Sequence, residues 1–155
     1  MNAHGIDLAL AIALVGVLAG CAATYAGPTA APQSAEARFP LPKADLFKAV
    51  RRALVADGDQ ILSADEASGT ISTVARDYRL TPAVADCGTT MGIDYLKDNR
   101  TSSKLAYGVV VDDGTVIVRA LLQSEYKPGQ VDQNITLSCV SRGVLERAFL
   151  RTVVK

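Results

Sequence analysis

Two runs of β-forming residues, Leu105–Val111 (LAYGVVV) and Thr115–Leu122 (TVIVRALL), flank the triplet Asp112-Asp113-Gly114. Asp-Gly between β-branched runs predicts a tight hairpin, because Gly adopts positive φ without steric cost. This hairpin is the strongest constraint on the fold. Two strands alone are marginal in water, so an apolar face must be covered by something else.

Two amphipathic stretches offer that cover. Pro42 and Asp45 stand where a helix would begin, and Pro is tolerated in a first turn. Leu46, Phe47, Val50 and Leu54 then recur at helical spacing, with Lys48, Arg51 and Arg52 mostly opposite, and Gly58 offers a stop. Near the C-terminus, Ser141 has the chemistry of an N-cap. Val144, Leu145, Ala148, Phe149 and Val153 follow as an apolar stripe, with Arg142, Arg147 and Arg151 elsewhere. Between these helices lie a second hairpin, Gln60–Ser63 with Thr70–Ala75, a loop-rich connection over 79–104 with one strand near Cys87, and a short strand Ile135–Cys139. The expected fold is α+β: one antiparallel sheet of about four to five strands with both helices on one face. The element order and the Leu62–Ile71 hairpin resemble small periplasmic lipoprotein domains of helix-grip type, such as those of the C-subunit lipoprotein of the outer-membrane β-barrel assembly machinery. That resemblance transfers no functional residue.

The N-terminal part is different in kind. Leu8–Ala19 is an apolar run broken only by Gly16, the length of a secretory h-region and short for a bilayer span. It ends in Leu18-Ala19-Gly20-Cys21, which resembles the lipobox of bacterial lipoproteins. That resemblance implies that residues 1–20 are a signal peptide cleaved after Gly20. It also implies a diacylglyceryl group on the Cys21 thiol and an acyl chain such as palmitate on the new amine. Ala22 in place of Asp implies the outer membrane, facing the periplasm. Met1–Leu10 lacks Lys and Arg, so either the n-region is unusual or the start lies upstream of Met1. The competing expectation is an uncleaved anchoring helix. Residues 21–37 are rich in Ala, Pro, Ser and Thr and lack Leu, Ile and Val. They read as the lipidated Cys and a flexible tether, with the single domain over 38–155.

Cleavage would also remove His4, the one histidine. Ser-His and Cys-His nucleophile pairs and His-ligated metal sites would then be excluded. With Cys21 lipidated, Cys87 and Cys139 remain as an even pair in an oxidising compartment, which favours a disulfide over two buried thiols. Closing that loop is worth ~4 kcal/mol in the chain-entropy account. Sixteen basic residues balance sixteen acidic ones, so nothing in the charge suggests nucleic acid. Ser124-Glu-Tyr-Lys127 matches S-x-x-K, but no Lys-Thr-Gly accompanies it. Asp57 with Asp59, and Asp112 with Asp113, read as turn residues rather than calcium ligands. The five arginines of the two helices read as solvated faces, with a basic patch as the rival.

The expectation is a non-enzymatic envelope lipoprotein, held to the membrane by its anchor and acting on an envelope protein partner. It needs no cofactor or metal. The alternative is a binder of a small ligand or peptidoglycan fragment in a cleft between sheet and helices; an enzyme using carboxylates alone ranks last. Mass spectrometry of the mature chain is expected to find a lipid-modified Cys21 at its N-terminus. An intact Met1 would refute the lipobox assignment.

Overall fold

A computed structural model of the chain describes residues 25–129 and 134–153. The central feature is the antiparallel pair β9 (Thr101–Asp112) and β10 (Thr115–Tyr126), joined at Asp113-Gly114 with Gly114 at φ 68°. The register runs from Thr115↔Asp112 to Tyr126↔Thr101 without a break. Both strands continue past the β-branched runs at their outer ends, back to Thr101 in one and on to Tyr126 in the other.

Further strands add in halves. On the β9 side, β4 (Thr70–Thr73) pairs with Gly108–Val110 and β5 (Arg76–Asp77) with Lys104–Leu105. On the β10 side, β2 (Ala35–Arg38) pairs with Thr115–Val118 and β11 (Ile135–Leu137) with Ser124–Tyr126. Strand β3 (Ile61–Asp65) pairs with β4 through an irregularity between Ile61 and Ser63, which makes seven strands in this sheet. A second sheet is β1 (Tyr25–Ala26), β7 (Thr89–Thr90) and β8 (Ile93–Asp94); a third is β6 (Ala85–Asp86) with β12 (Val140–Ser141).

Strand alternation sorts side chains to two faces. Leu105, Tyr107, Val109 and Val111 of β9 stand opposite Leu122, Ala120, Val118 and Val116 of β10. All are buried except Leu122, which is partly so. On this face lie α1 (Lys43–Ala56), with Leu46, Phe47, Val50 and Leu54 inward, and α2 (Val144–Leu150), whose Phe149 stacks on Tyr107 at 5.4 Å. Helix α1 has no side-chain cap of its own. The Lys43 amide donates to Asp113 Oδ1 at 3.2 Å, so the β9–β10 turn caps the helix and places a carboxylate at its positive end.

The expected four- to five-stranded sheet with flanking helices is therefore corrected. The main sheet has seven strands, two smaller sheets accompany it, and the helices span only 14 and 7 residues. The supposed tether is part of the reason. Its described portion supplies β1 and most of β2, and the expected domain start at residue 38 falls on the last residue of β2. Ala35 and Ala37 of β2 turn toward the core and Glu36 and Arg38 away, but two alanines in a four-residue strand make a weak signal, and the strand depends mainly on main-chain hydrogen bonds to β10. The 79–104 connection likewise contains β6, β7 and β8 as two-residue strands, too short to leave a periodic signal.

The closing helix also differs from expectation. Its cap position is Gly143 at φ 75°, and the buried set is Leu145, Glu146, Phe149 and Leu150. Glu146 is fully buried. One carboxylate oxygen accepts from the Ala120 amide at 3.0 Å and the other from the Ser141 hydroxyl at 2.7 Å; the Gly143 amide donates to Ser141 Oγ at 3.0 Å. Ala120 lies between the stretches of β10 paired by β2 and β11. The carboxylate thus satisfies an amide that no strand reaches. Glu146→Leu would leave two buried donors unpaired, at ~1–3 kcal/mol each. Urea unfolding is expected to show a loss of about 3 kcal/mol for Glu146→Leu and a smaller one for Glu146→Gln, which keeps an acceptor. Equal stabilities would remove Glu146 from this role.

Candidate functional site

The face of the main sheet opposite the helices has no layer over it among the described residues. Its composition follows from the register. Gln123, Lys104 and Asp77 form one row across β10, β9 and β5; Thr136, Glu125 and Ser102 form the next across β11, β10 and β9. Toward the turn, Ile117 lies beside Glu36 and Val110, and Arg119 beside Gly108. Leu121 is 50% exposed, Val110 45% and Ile117 39%. Three branched apolar side chains thus surround an exposed arginine, with Ala106 buried beside Leu121 on the same side.

The two polar rows open into a groove of about 630 Å³. Asp77, Ser102, Lys104, Gln123, Glu125 and Lys127 line it. Two bases and two acids alternate there. This groove suits a ligand with hydrogen-bonding groups of both kinds, such as a peptide segment, better than a pure anion. It is not the cleft anticipated between sheet and helices. That space is filled by Leu46, Phe47, Leu54, Val109 and their neighbours in a closed core.

Of the residues singled out in the sequence, Cys21 lies outside the described residues. Cys87 and Cys139 form a disulfide. The bond joins the positions next to the β6–β12 pairs Asp86↔Val140 and Ala85↔Ser141, so it clamps that small sheet at one end. Ser124 and Lys127 do not meet, because three residues along a strand separate opposite faces. Both residues border the groove, but Ser124 is buried with its hydroxyl 3.8 Å from the Cys87 sulfur, whereas Lys127 is exposed. Asp57 and Asp59 both engage one guanidinium: Arg76 Nε donates to Asp59 Oδ1 at 2.7 Å, and its Nη2 lies 3.4 Å from Asp57. Burial, reinforced by these two negative charges, pushes the nearby Tyr107 hydroxyl up. Asp113 caps α1. No group of three or more His, Cys, Asp or Glu able to hold a metal ion occurs among the described residues.

The arginines do not form one patch. Arg51 and Arg52 share the outer surface of α1 with Lys48. Arg142 donates to the Pro82 carbonyl and lies 3.7 Å from Asp86, while Arg147 and Arg151 bond carbonyls of their own segment. The β-branched run ends at Leu122, so the sequence does not point to Gln123 at all, and points to Glu125 and Lys127 only as parts of Ser124-Glu-Tyr-Lys127. The signal was present in the alternation of Gln123-Ser-Glu-Tyr126, polar outward and Ser124 and Tyr126 inward.

A further cluster fixes the N-terminal segment. Asp86 Oδ2 accepts from the amides of Thr29 (3.0 Å) and Ala30 (3.1 Å), and Oδ1 from Gly88 (3.0 Å). Tyr25 donates its hydroxyl to the Cys87 carbonyl at 3.1 Å. Gly88 is at φ 75°, and a Cβ there would collide with the Ala26 carbonyl, so only glycine lets the segment approach this closely.

No protein-family model matches the sequence, and neither does any curated protein. Among solved structures, the chain is similar to a DUF4468 family protein from Bacteroides ovatus, with a TM-score of 0.45 and 16% identity over 67% of this chain and 58% of that one. It is also similar to a TBP-like protein from Parabacteroides distasonis, with a TM-score of 0.42 and 15% identity over 67% of this chain and 62% of that one. The chain thus spans less than two thirds of either of these structures.

The Asp86 contacts carry a pH dependence. Hydrogen bonds from Gly88, then from Ala30 and Thr29, hold its carboxyl below the usual value of 3.8. A depressed folded-state value stabilises the folded form above the unfolded value and loses that contribution as pH falls through the folded one. The Thr29 and Ala30 amide resonances are therefore expected to shift together in an acid titration with a midpoint below 3.8. Asp86→Asn should abolish this transition; its persistence in the variant would assign it to another group.

Proposed function

We propose that this chain is a non-enzymatic module of the bacterial cell envelope, tethered through Cys21 to the outer membrane on its periplasmic side, and that it binds a protein partner on the uncovered sheet face. The single observation that carries the binding surface is the contrast between the two faces. One is sealed by both helices; the other presents Val110, Ile117 and Leu121 around Arg119, continuous with a groove of mixed charge. Exposed branched side chains beside complementary polar groups are the composition of an interface that is covered part of the time. The lipobox supports the address. Once the leader is cleaved, the chain has no imidazole, which supports binding over catalysis.

The reading commits to the sheet face rather than to the helix layer. A photocrosslinking amino acid at Leu121 or Gln123 is expected to give discrete crosslinked species in intact envelopes. The same group at Val55, 62% exposed on the outer side of α1, should not. Equal products from Val55, or none from either sheet position, would overturn the assignment.

A further inference from the structure

Resting on the lipid attachment proposed above, we infer that the β7–β8 hairpin is a membrane-contacting tip, with Met91 and Ile93 entering the lipid interface beside the anchor. The first observation is chain length. Only Ala22, Ala23 and Thr24 separate Cys21 from β1. Four residue steps span at most roughly 14 Å. The start of β1 is therefore held within that distance of the lipidated residue's backbone.

The second observation is where β1 is fastened. Tyr25 pairs with Thr90 and Ala26 with Thr89, while Thr90 pairs with Ile93 and Thr89 with Asp94. The hairpin is the direct neighbour of the anchor. Its turn is Met91-Gly92, both at positive φ, 52° and 77°. Two-residue turns of this kind favour Asn, Asp or Gly at their first position, and a methionine there is strained. Met91 is the one non-glycine residue at positive φ among the described residues. It is also 81% exposed, and Ile93 is 69% exposed. In water the tip is unfavourable twice over, by backbone strain at Met91 and by exposure of both side chains. The exposure is relieved if both side chains leave water for acyl chains when the anchor inserts, and the strained turn is what holds Met91 outward for that contact.

One charge of each sign lies beside the tip, at the level of the polar headgroups if Met91 and Ile93 insert. Asp94 accepts the Leu96 amide at 2.8 Å, and Lys97 lies in the short 3₁₀ turn Tyr95–Lys97. Tyr95 packs its ring 6.0 Å from Tyr25 and 5.0 Å from Tyr126. These aromatic contacts tie the small sheet to the end of β10, so an inserted tip would orient the whole domain.

The chain contains no tryptophan, so a single introduced one reports alone. Full-length Met91→Trp and Ile93→Trp would be expressed in a host that processes lipoproteins, then reconstituted in phosphatidylethanolamine–phosphatidylglycerol vesicles with and without brominated acyl chains. Emission is expected to shift to the blue and to be quenched by the brominated lipid. Leu62→Trp, on β3 and 69% exposed, should stay unshifted and unquenched. Mass spectrometry of the same samples separates the two ideas. Lipid on Cys21 with water-like emission at both 91 and 93 would overturn the tip and leave the anchor standing. An unmodified Cys21 would overturn the anchor, and the tip with it. Equal quenching at position 62 would overturn the orientation.

Discussion

The long β9–β10 ladder is the part on which the rest depends. Its unbroken register from Thr101 to Tyr126 gives two continuous edges and two distinct faces. Every other strand of the main sheet is short and borrows its register from one of these edges, either directly or through β4. Both helices pack on one face, and α1 is capped by the turn of the same hairpin. Local order in β2, β5 and β11 has little intrinsic support. A strand of two to four residues persists here because a long, rigid partner already presents its amides and carbonyls.

That arrangement leaves a shortfall at the middle of β10, where β2 has ended and β11 has not begun. A buried amide without a partner is costly, and Glu146 meets the need from a helix. The cost of burying a carboxylate is offset by its two donors, the Ala120 amide and the Ser141 hydroxyl, and Ser141 in turn receives the Gly143 amide. The start of α2 and the centre of the sheet are thereby fastened at one point. The disulfide reinforces the same neighbourhood, since Cys139 directly precedes β12, and β12 contains Ser141.

The functional geometry is a consequence of one-sided coverage. With two short helices on one side and no layer among the described residues on the other, the sheet resolves into a structural face and an available face. The N-terminal segment, docked by Asp86, Tyr25 and Gly88, lies along the domain instead of acting as a free spacer. An anchor at Cys21, four residue steps before Tyr25, would therefore hold the domain close to the bilayer.

Elements whose side chains repeat with a period were legible from the residues alone. These are the hairpin around Asp113-Gly114 and the apolar stripe of Leu46, Phe47, Val50 and Leu54. The hairpin expected from Gln60–Ser63 and Thr70–Ala75 forms as Ile61–Asp65 with Thr70–Thr73, although β3 itself is largely exposed and carries no alternation. The pairing of Cys87 with Cys139 was legible too, because assigning Cys21 to lipid left two cysteines. Three features emerged only from the folded arrangement: that Ala35–Arg38 is a strand, that Glu146 is interior, and that Gln123, Glu125 and Lys127 share a groove with Asp77 and Lys104. The physical reason is common to all three. Main-chain hydrogen bonds between distant segments carry no side-chain signature. A buried carboxylate or a polar row acquires its meaning only when the register brings its partners alongside.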